Sequence, residues 1–145
     1  MNRGGDSAMG RVTVEVELTN AEDLVGVKMK VLTPDKVRRV KVPGVVDTGA
    51  TYLVLPRSVA KQLGVPLAGT VKVQYADRRK GTRQLVENVR VDLLGRHSNF
   101  TAVVEPRRTD VLLGAIVLEA LDLLVDCRTQ TLQPRDPDSI IAEIE

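Results

Sequence analysis

A single, mostly β domain with two short helices is what this sequence predicts, and three observations predict it. Valines and leucines alternate with polar residues in short runs along most of the chain, the period of half-buried strands. Pro, Gly and Asn/Asp clusters interrupt those runs at short intervals. Only two segments, 56–63 and 115–121, carry apolar residues at helical spacing. The 145 residues suffice for one core without metals or disulfides, and no repeat, low-complexity linker or second domain is visible.

Residues 1–8 are Gly-rich and polar and read as a loose leader. Val12, Val14, Val16 and Leu18 then alternate with polar residues as a strand, and 20–23 reads as a turn. Val25, Val27, Met29 and Val31 repeat the alternation and predict a second strand. A Pro34-Asp35 turn leads into a strand over 37–42, which Pro43-Gly44 separates from the short apolar strand Val45-Val46. Leu53 to Leu55 is another short strand. Pro56 suits the first turn of the following helix, Val59, Ala60 and Leu63 share its face, and Gly64 closes it.

Strands resume at Val71, Val73 and Tyr75. Residues 77–81 form a basic hairpin tip, with Gly81 expected to supply a positive φ. Residues 85–94 alternate again and stop at Gly95, and 100–104 form a further strand. The apolar run Val111 to Leu113, the helix over 115–121 and two closing strands at 123–125 and 131–133 complete the domain, which spans residues 9–134. The tail, 135–145, is charged and Pro-punctuated, with Ile140, Ile141 and Ile144 spaced for a short terminal helix.

Several functions are disfavoured by composition. A net charge of +2 gives no argument for nucleic acid or an anionic membrane surface. Three aromatic residues provide no stacking platform for single strands. No apolar run has the length of a membrane span, and a single cysteine, Cys127, points to a reducing cytoplasm. One histidine, His97, and one cysteine cannot build a zinc site, and no phosphate-cradling glycine loop is present, so neither metal nor cofactor is expected. His97 has no Ser or Cys partner motif for nucleophilic catalysis. Asp110, Asp122 and Asp126 read as surface or strand-end carboxylates.

What remains is Asp47-Thr48-Gly49-Ala50, a carboxylate on a tight turn directly after the Val45-Val46 strand. Alone, the triplet is also a simple Asx turn in which the side chain caps its own loop. A second apolar block, Leu112-Leu113-Gly114, precedes the second helix. With both blocks in place, and with Leu123 to Asp126 and Thr131 to Pro134 extending the likeness, the chain resembles retropepsin-type aspartic proteases. Within that group it is similar to the small single-domain type of bacteria and archaea, from Val12 to Pro134.

The resemblance implies a closed acid-protease-type β-barrel, a homodimer, a peptide or protein substrate, and Asp47 as the catalytic residue. The triplet occurs once, so two chains must each contribute one Asp47. Thr48 would hydrogen-bond across the dimer and Gly49 would present its amide beside the carboxylates. Ala50 either keeps the turn compact beside substrate or simply packs in the core. Residues 71–85 take the place of the flap, the hairpin that closes over bound peptide.

Relatives carry Ala-Asp-Gly at the flap; this chain has Ala76-Asp77-Arg78, with the glycine displaced to Gly81. Ala76 and Asp77 are substrate-binding candidates by position. Tyr75 either lines the cleft or occupies a sheet face. Arg78, Arg79, Lys80 and Arg83 are either a solvated face or a selector for acidic substrates. Viral relatives place an Arg after the second glycine where this chain has Ala115. These departures leave open an alternative role as a catalytically silent peptide-binding or assembly module.

Overall fold

The computed structural model describes residues 11–145; the leader expected over 1–8 lies outside them. Nine strands follow one another as β1 (Val12–Asn20), β2 (Arg39–Val46), β3 (Leu53–Pro56), β4 (Leu67–Gln74), β5 (Lys80–Leu93), β6 (Arg96–Glu105), β7 (Val111–Leu113), β8 (Leu123–Asp126) and β9 (Thr131–Pro134). Three short helices interrupt them: α1 (Ala21–Lys28), α2 (Arg57–Leu63) and α3 (Ala115–Leu121). A 3-10 turn covers Pro34–Lys36.

Six strands close on themselves in the order β1-β2-β7-β3-β6-β5, because β1 pairs with both β2 and β5. Strand β4 extends this barrel as the outer partner of β5, and β8 pairs with β9 apart from it. Closure removes the free edges of the six strands. The core inside is almost wholly aliphatic: Val16, Leu18, Leu53, Leu55, Val89, Val91 and Leu113 have their side chains fully buried. Leu63 from α2 and Val117 and Leu121 from α3 plug it from outside the sheet.

The mostly β, closed-barrel class expected from the sequence is the class observed, with three helices rather than two. The extra one is α1, where a turn over 20–23 and a strand through Val25 to Val31 were expected. Asn20 caps the helix, its side-chain oxygen accepting from the Asp23 amide at 3.1 Å, while its Nδ2 donates to Leu63 O at 2.9 Å. The buried Asp23 carboxylate accepts from Arg38 N, Nε and the second guanidinium nitrogen at 2.9–3.0 Å. An N-cap followed by Glu22-Asp23 is a helix-start signal. The alternation that argued for a strand has no buried face behind it, since Val25, Met29 and Val31 are all exposed.

Three smaller differences follow. Pro43-Gly44 does not break β2, because pairing with β7 starts only at Gly44 and Pro43's missing N–H interrupts no bond there. Ile140, Ile141 and Ile144 form no terminal helix; they are exposed, and the Ile141 amide is held by Asp122 Oδ2 at 3.0 Å. The left-handed residue of the β4–β5 turn is Arg78, with φ of 71°, and not Gly81.

Candidate active site

The turn carrying Asp47 follows directly on the end of β2. β2 delivers Val45 and Val46 into the core alongside Leu112 and Leu113 of the parallel strand β7. The Asp47 amide still donates to Leu113 O at 3.1 Å, but its side chain has left the core and is exposed. Ala50 N donates to Asp47 O at 3.1 Å, and Gly49 N donates to Asp47 Oδ1 at 2.9 Å. The carboxylate is therefore aimed by its own turn.

Beyond the turn the chain crosses directly over Gly114. Ala50 O and Thr51 O accept from the Ala115 and Ile116 amides at 2.8 and 3.0 Å, two of the N–H groups that α3 leaves without helical partners. A Cβ on Gly114 would run into Tyr52 O and would lie 2.8 Å from Ala50 O and 2.9 Å from the Thr51 carbonyl carbon. All three are backbone atoms of the turn, so glycine is what lets it sit this close.

Above the turn lies a cleft of about 630 Å³, roofed by the β4–β5 hairpin. Val71, Val73 and Tyr75 present the hairpin's half-buried face, while Lys72 and Gln74 between them are exposed. At the tip Tyr75 N donates to Arg79 O and Arg78 N to Tyr75 O, both at 2.9 Å, closing a loop of Ala76-Asp77-Arg78. Three-residue hairpin loops of this kind place a left-handed residue last, where glycine is favoured. Arg78 fills that place.

One polar cluster ties the hairpin down. Glu105, the last residue of β6, accepts from the Tyr75 hydroxyl at 2.5 Å and from Arg83 Nε at 3.0 Å. The guanidinium carbons of Arg79 and Arg83 stand 5.0 and 5.8 Å from the centre of the Tyr75 ring, within cation–π range. Burial pushes the Glu105 carboxyl up, but the Tyr75 hydroxyl and the Arg83 guanidinium outweigh it and hold the group below the ordinary glutamate value. Its hydrogen bond to Glu105, then burial, raise the Tyr75 phenol. At the exposed rim Asp77 accepts from Arg79 N and Nε at 3.0 and 2.7 Å, and these bonds lower its carboxyl.

Of the residues singled out in the sequence, Asp47, Gly49, Ala50, Tyr75 and Ala76 line this cleft together. Thr48 lies outside it, exposed, its hydroxyl without a hydrogen bond among the described residues. Asp77 is also outside, turned to Arg79. Glu105, Arg107 and Arg108, which sequence reasoning passed over, line the opposite wall. Glu105 sits 22 residues from Arg83 and 30 from Tyr75, and no local pattern links them.

Residues 33–117 match the family model described as Aspartyl protease, and the chain belongs to that family. The matched span holds the Asp47 turn, the hairpin roof and Leu112 to Gly114.

Among solved structures it is similar to the simian foamy virus (mac) protease, at 15% identity and a TM-score of 0.46, over 73% of this chain and 90% of that one. The EIAV protease complexed with the inhibitor HBY-793 gives 19% and 0.49, over 56% and 77%. The foamy viral protease–reverse transcriptase in complex with an RNA/DNA hybrid gives 15% and 0.49, over 74% of this chain and 11% of that one. A search of curated protein sequences finds no match.

Proposed function

We propose that the chain is an aspartic endopeptidase that works as a homodimer, with the two Asp47 side chains meeting across a two-fold axis. The observation that carries this reading is the isolated Asp47 carboxylate, exposed into a roofed cleft from a turn that backbone hydrogen bonds hold on the core. A single carboxylate cannot serve as both acid and base, and this chain supplies one such turn.

Two carboxylates about 3 Å apart share one proton, since like charges that close do not both ionise. The ionised partner takes a proton from a bound water, which attacks the scissile carbonyl. The protonated partner donates to the carbonyl oxygen, and the tetrahedral intermediate then collapses with proton transfer to the leaving nitrogen. No covalent enzyme intermediate, metal or cofactor takes part. Thr48, whose hydroxyl has no partner among the described residues, is the residue that would bridge the two turns, and Gly49 holds the carboxylate. Residues 9–134 form the protease unit and 135–145 lie outside it. Activity is expected at acid to mildly acidic pH, because raising the pH ionises both members of the dyad.

The test is cleavage of a diverse mixture of unstructured peptides at high protein concentration, with Asp47→Asn as control and sedimentation of both proteins. Cleavage by the wild type alone, by a dimer, supports the reading; equal cleavage by both proteins sinks it. One observation favours the second reading, a silent peptide-binding dimer. Tyr75 and Arg83 are already bound to Glu105, which fastens the roof before any peptide enters.

A further inference from the structure

The cleft is lined by five cationic side chains, Lys72, Arg79, Arg83, Arg107 and Arg108, against two carboxylates, Asp47 and Glu105. Internal pairing narrows that excess to three cations against Asp47. Arg83 neutralises Glu105, and the rim residue Asp77 neutralises Arg79. Lys72, Arg107 and Arg108 form no ion pair among the described residues. Lys72 stands on β4 with its side chain on the strand face away from Val71, Val73 and Tyr75, whereas Arg107 and Arg108 belong to the loop that leaves β6 on the opposite wall. That loop is held in place: Arg108 N donates to Glu105 O at 3.2 Å and Arg108 Nε to Asp110 O at 3.1 Å. An extended peptide threaded between roof and wall would therefore pass unneutralised cations along the wall that Arg107 and Arg108 form.

From this we infer that the substrates are acidic polypeptide segments, recognised through Asp or Glu side chains by Arg107 and Arg108. The inference rests on the peptide-cleft reading above and adds the substrate class to it. The hairpin-tip arginines are not the selectors, because Arg79 is already paired and Arg78 is absent from the cleft lining. An acidic side chain at the scissile bond itself would meet the charge of Asp47, so the preferred acids flank the bond. Low-dielectric walls on both sides strengthen such contacts relative to open surface, and guanidinium groups offer carboxylates a two-pronged partner.

The experiment measures binding, so that it reports even if no bond is cut. Asp47→Asn protein is titrated into two fluorescent peptides of one sequence, one carrying flanking Glu residues and the other Gln at the same positions. The Glu peptide should bind about tenfold more tightly at low salt, with the margin shrinking as salt rises. Adding Arg107→Gln and Arg108→Gln should erase the margin between the two peptides. Circular dichroism checks that this variant is folded, and the two single substitutions replace it if it is not, each removing part of the margin.

Equal affinities, a margin that survives loss of these cations, or no binding of either peptide would overturn the inference. Wild-type cleavage of the same pair separates the two readings. Cutting without preference removes the substrate class alone, whereas preferential binding without any cutting removes the peptidase and keeps the acidic ligand.

Discussion

The floor and the roof of the cleft are held by different forces. The floor, formed by β2, β7, the Asp47 turn and the start of α3, is fixed by backbone hydrogen bonds above an aliphatic core: Asp47 N to Leu113 O, Ala115 N to Ala50 O, Ile116 N to Thr51 O. The roof pairs with the barrel through β5 alone and is tied to the far wall by side chains, Tyr75 and Arg83 on Glu105. Backbone bonds over a packed core leave the floor one arrangement. Ion pairs and a phenol hydrogen bond leave the roof able to exchange its partners for water, at a cost of about 1–3 kcal/mol for a charged bond. A peptidase needs that division, a fixed carboxylate beneath a cover that opens.

The sharpest way to break the comparison separates chemistry from architecture within the floor. Asp47→Asn keeps the turn, since the amide oxygen can still accept from Gly49 N. Peptide cleavage should fall by about a thousandfold or more, while the urea midpoint moves little. Gly114→Ala does the reverse. Its methyl would collide with three backbone atoms of the turn, none of them able to rotate away. A loss of about 3 kcal/mol or more in urea unfolding is expected, and activity should fall with the displaced carboxylate. Alanine tolerated at 114 with full stability would mean that the floor is as yielding as the roof.

The same division decides what was legible in the sequence. The floor could be read because an apolar strand, a turn triplet and a second apolar-Gly block are local patterns, and the barrel class followed from alternation. Even there Gly114 showed only that it belonged to the block; the carbonyls crossing it come from residues 50–52 and needed coordinates. Strand alternation misled at Val25 to Val31, where Val25, Met29 and Val31 face water, although Asn20 and Glu22-Asp23 carried the helix start. The roof's position could be read, but not what holds it. Glu105 is one glutamate at a strand end, and nothing near it in sequence shows that Tyr75 and Arg83 converge on it. Arg107 and Arg108 carry no local signal for the same reason.

A change at Glu105 sharpens the roof's side of the comparison. In Glu105→Gln the amide oxygen can still accept from Tyr75, but the charge facing Arg83 is gone, so a loss of about 1–2 kcal/mol is expected at neutral pH. The pH dependence has a definite sign. The folded-state carboxyl of Glu105 lies below its ordinary value of 4.5, so its contribution is complete above that value and is lost as the pH falls through the lower, folded one. Wild type and Glu105→Gln should therefore differ in urea unfolding at pH 7 and converge on acidification below 4.5. A difference that stayed constant into acid would show that charge is not what fastens the roof.

The smallest effect is expected at the tip. Arg78 holds φ at 71°, a conformation that costs a residue with a side chain about 1–2 kcal/mol. Arg78→Gly relieves that strain but frees the unfolded chain, and the two largely offset, leaving a net gain of about 0.5 kcal/mol or less. Because Arg78 is not in the cleft lining, peptide affinity should be unchanged. The comparison is tested by where the gain appears. Amide exchange should slow at Tyr75 and Arg78, whose N–H groups close the loop, and stay as it was at Asp47 and Ala115 in the floor. Protection rising equally at all four would mean that floor and roof open as one unit.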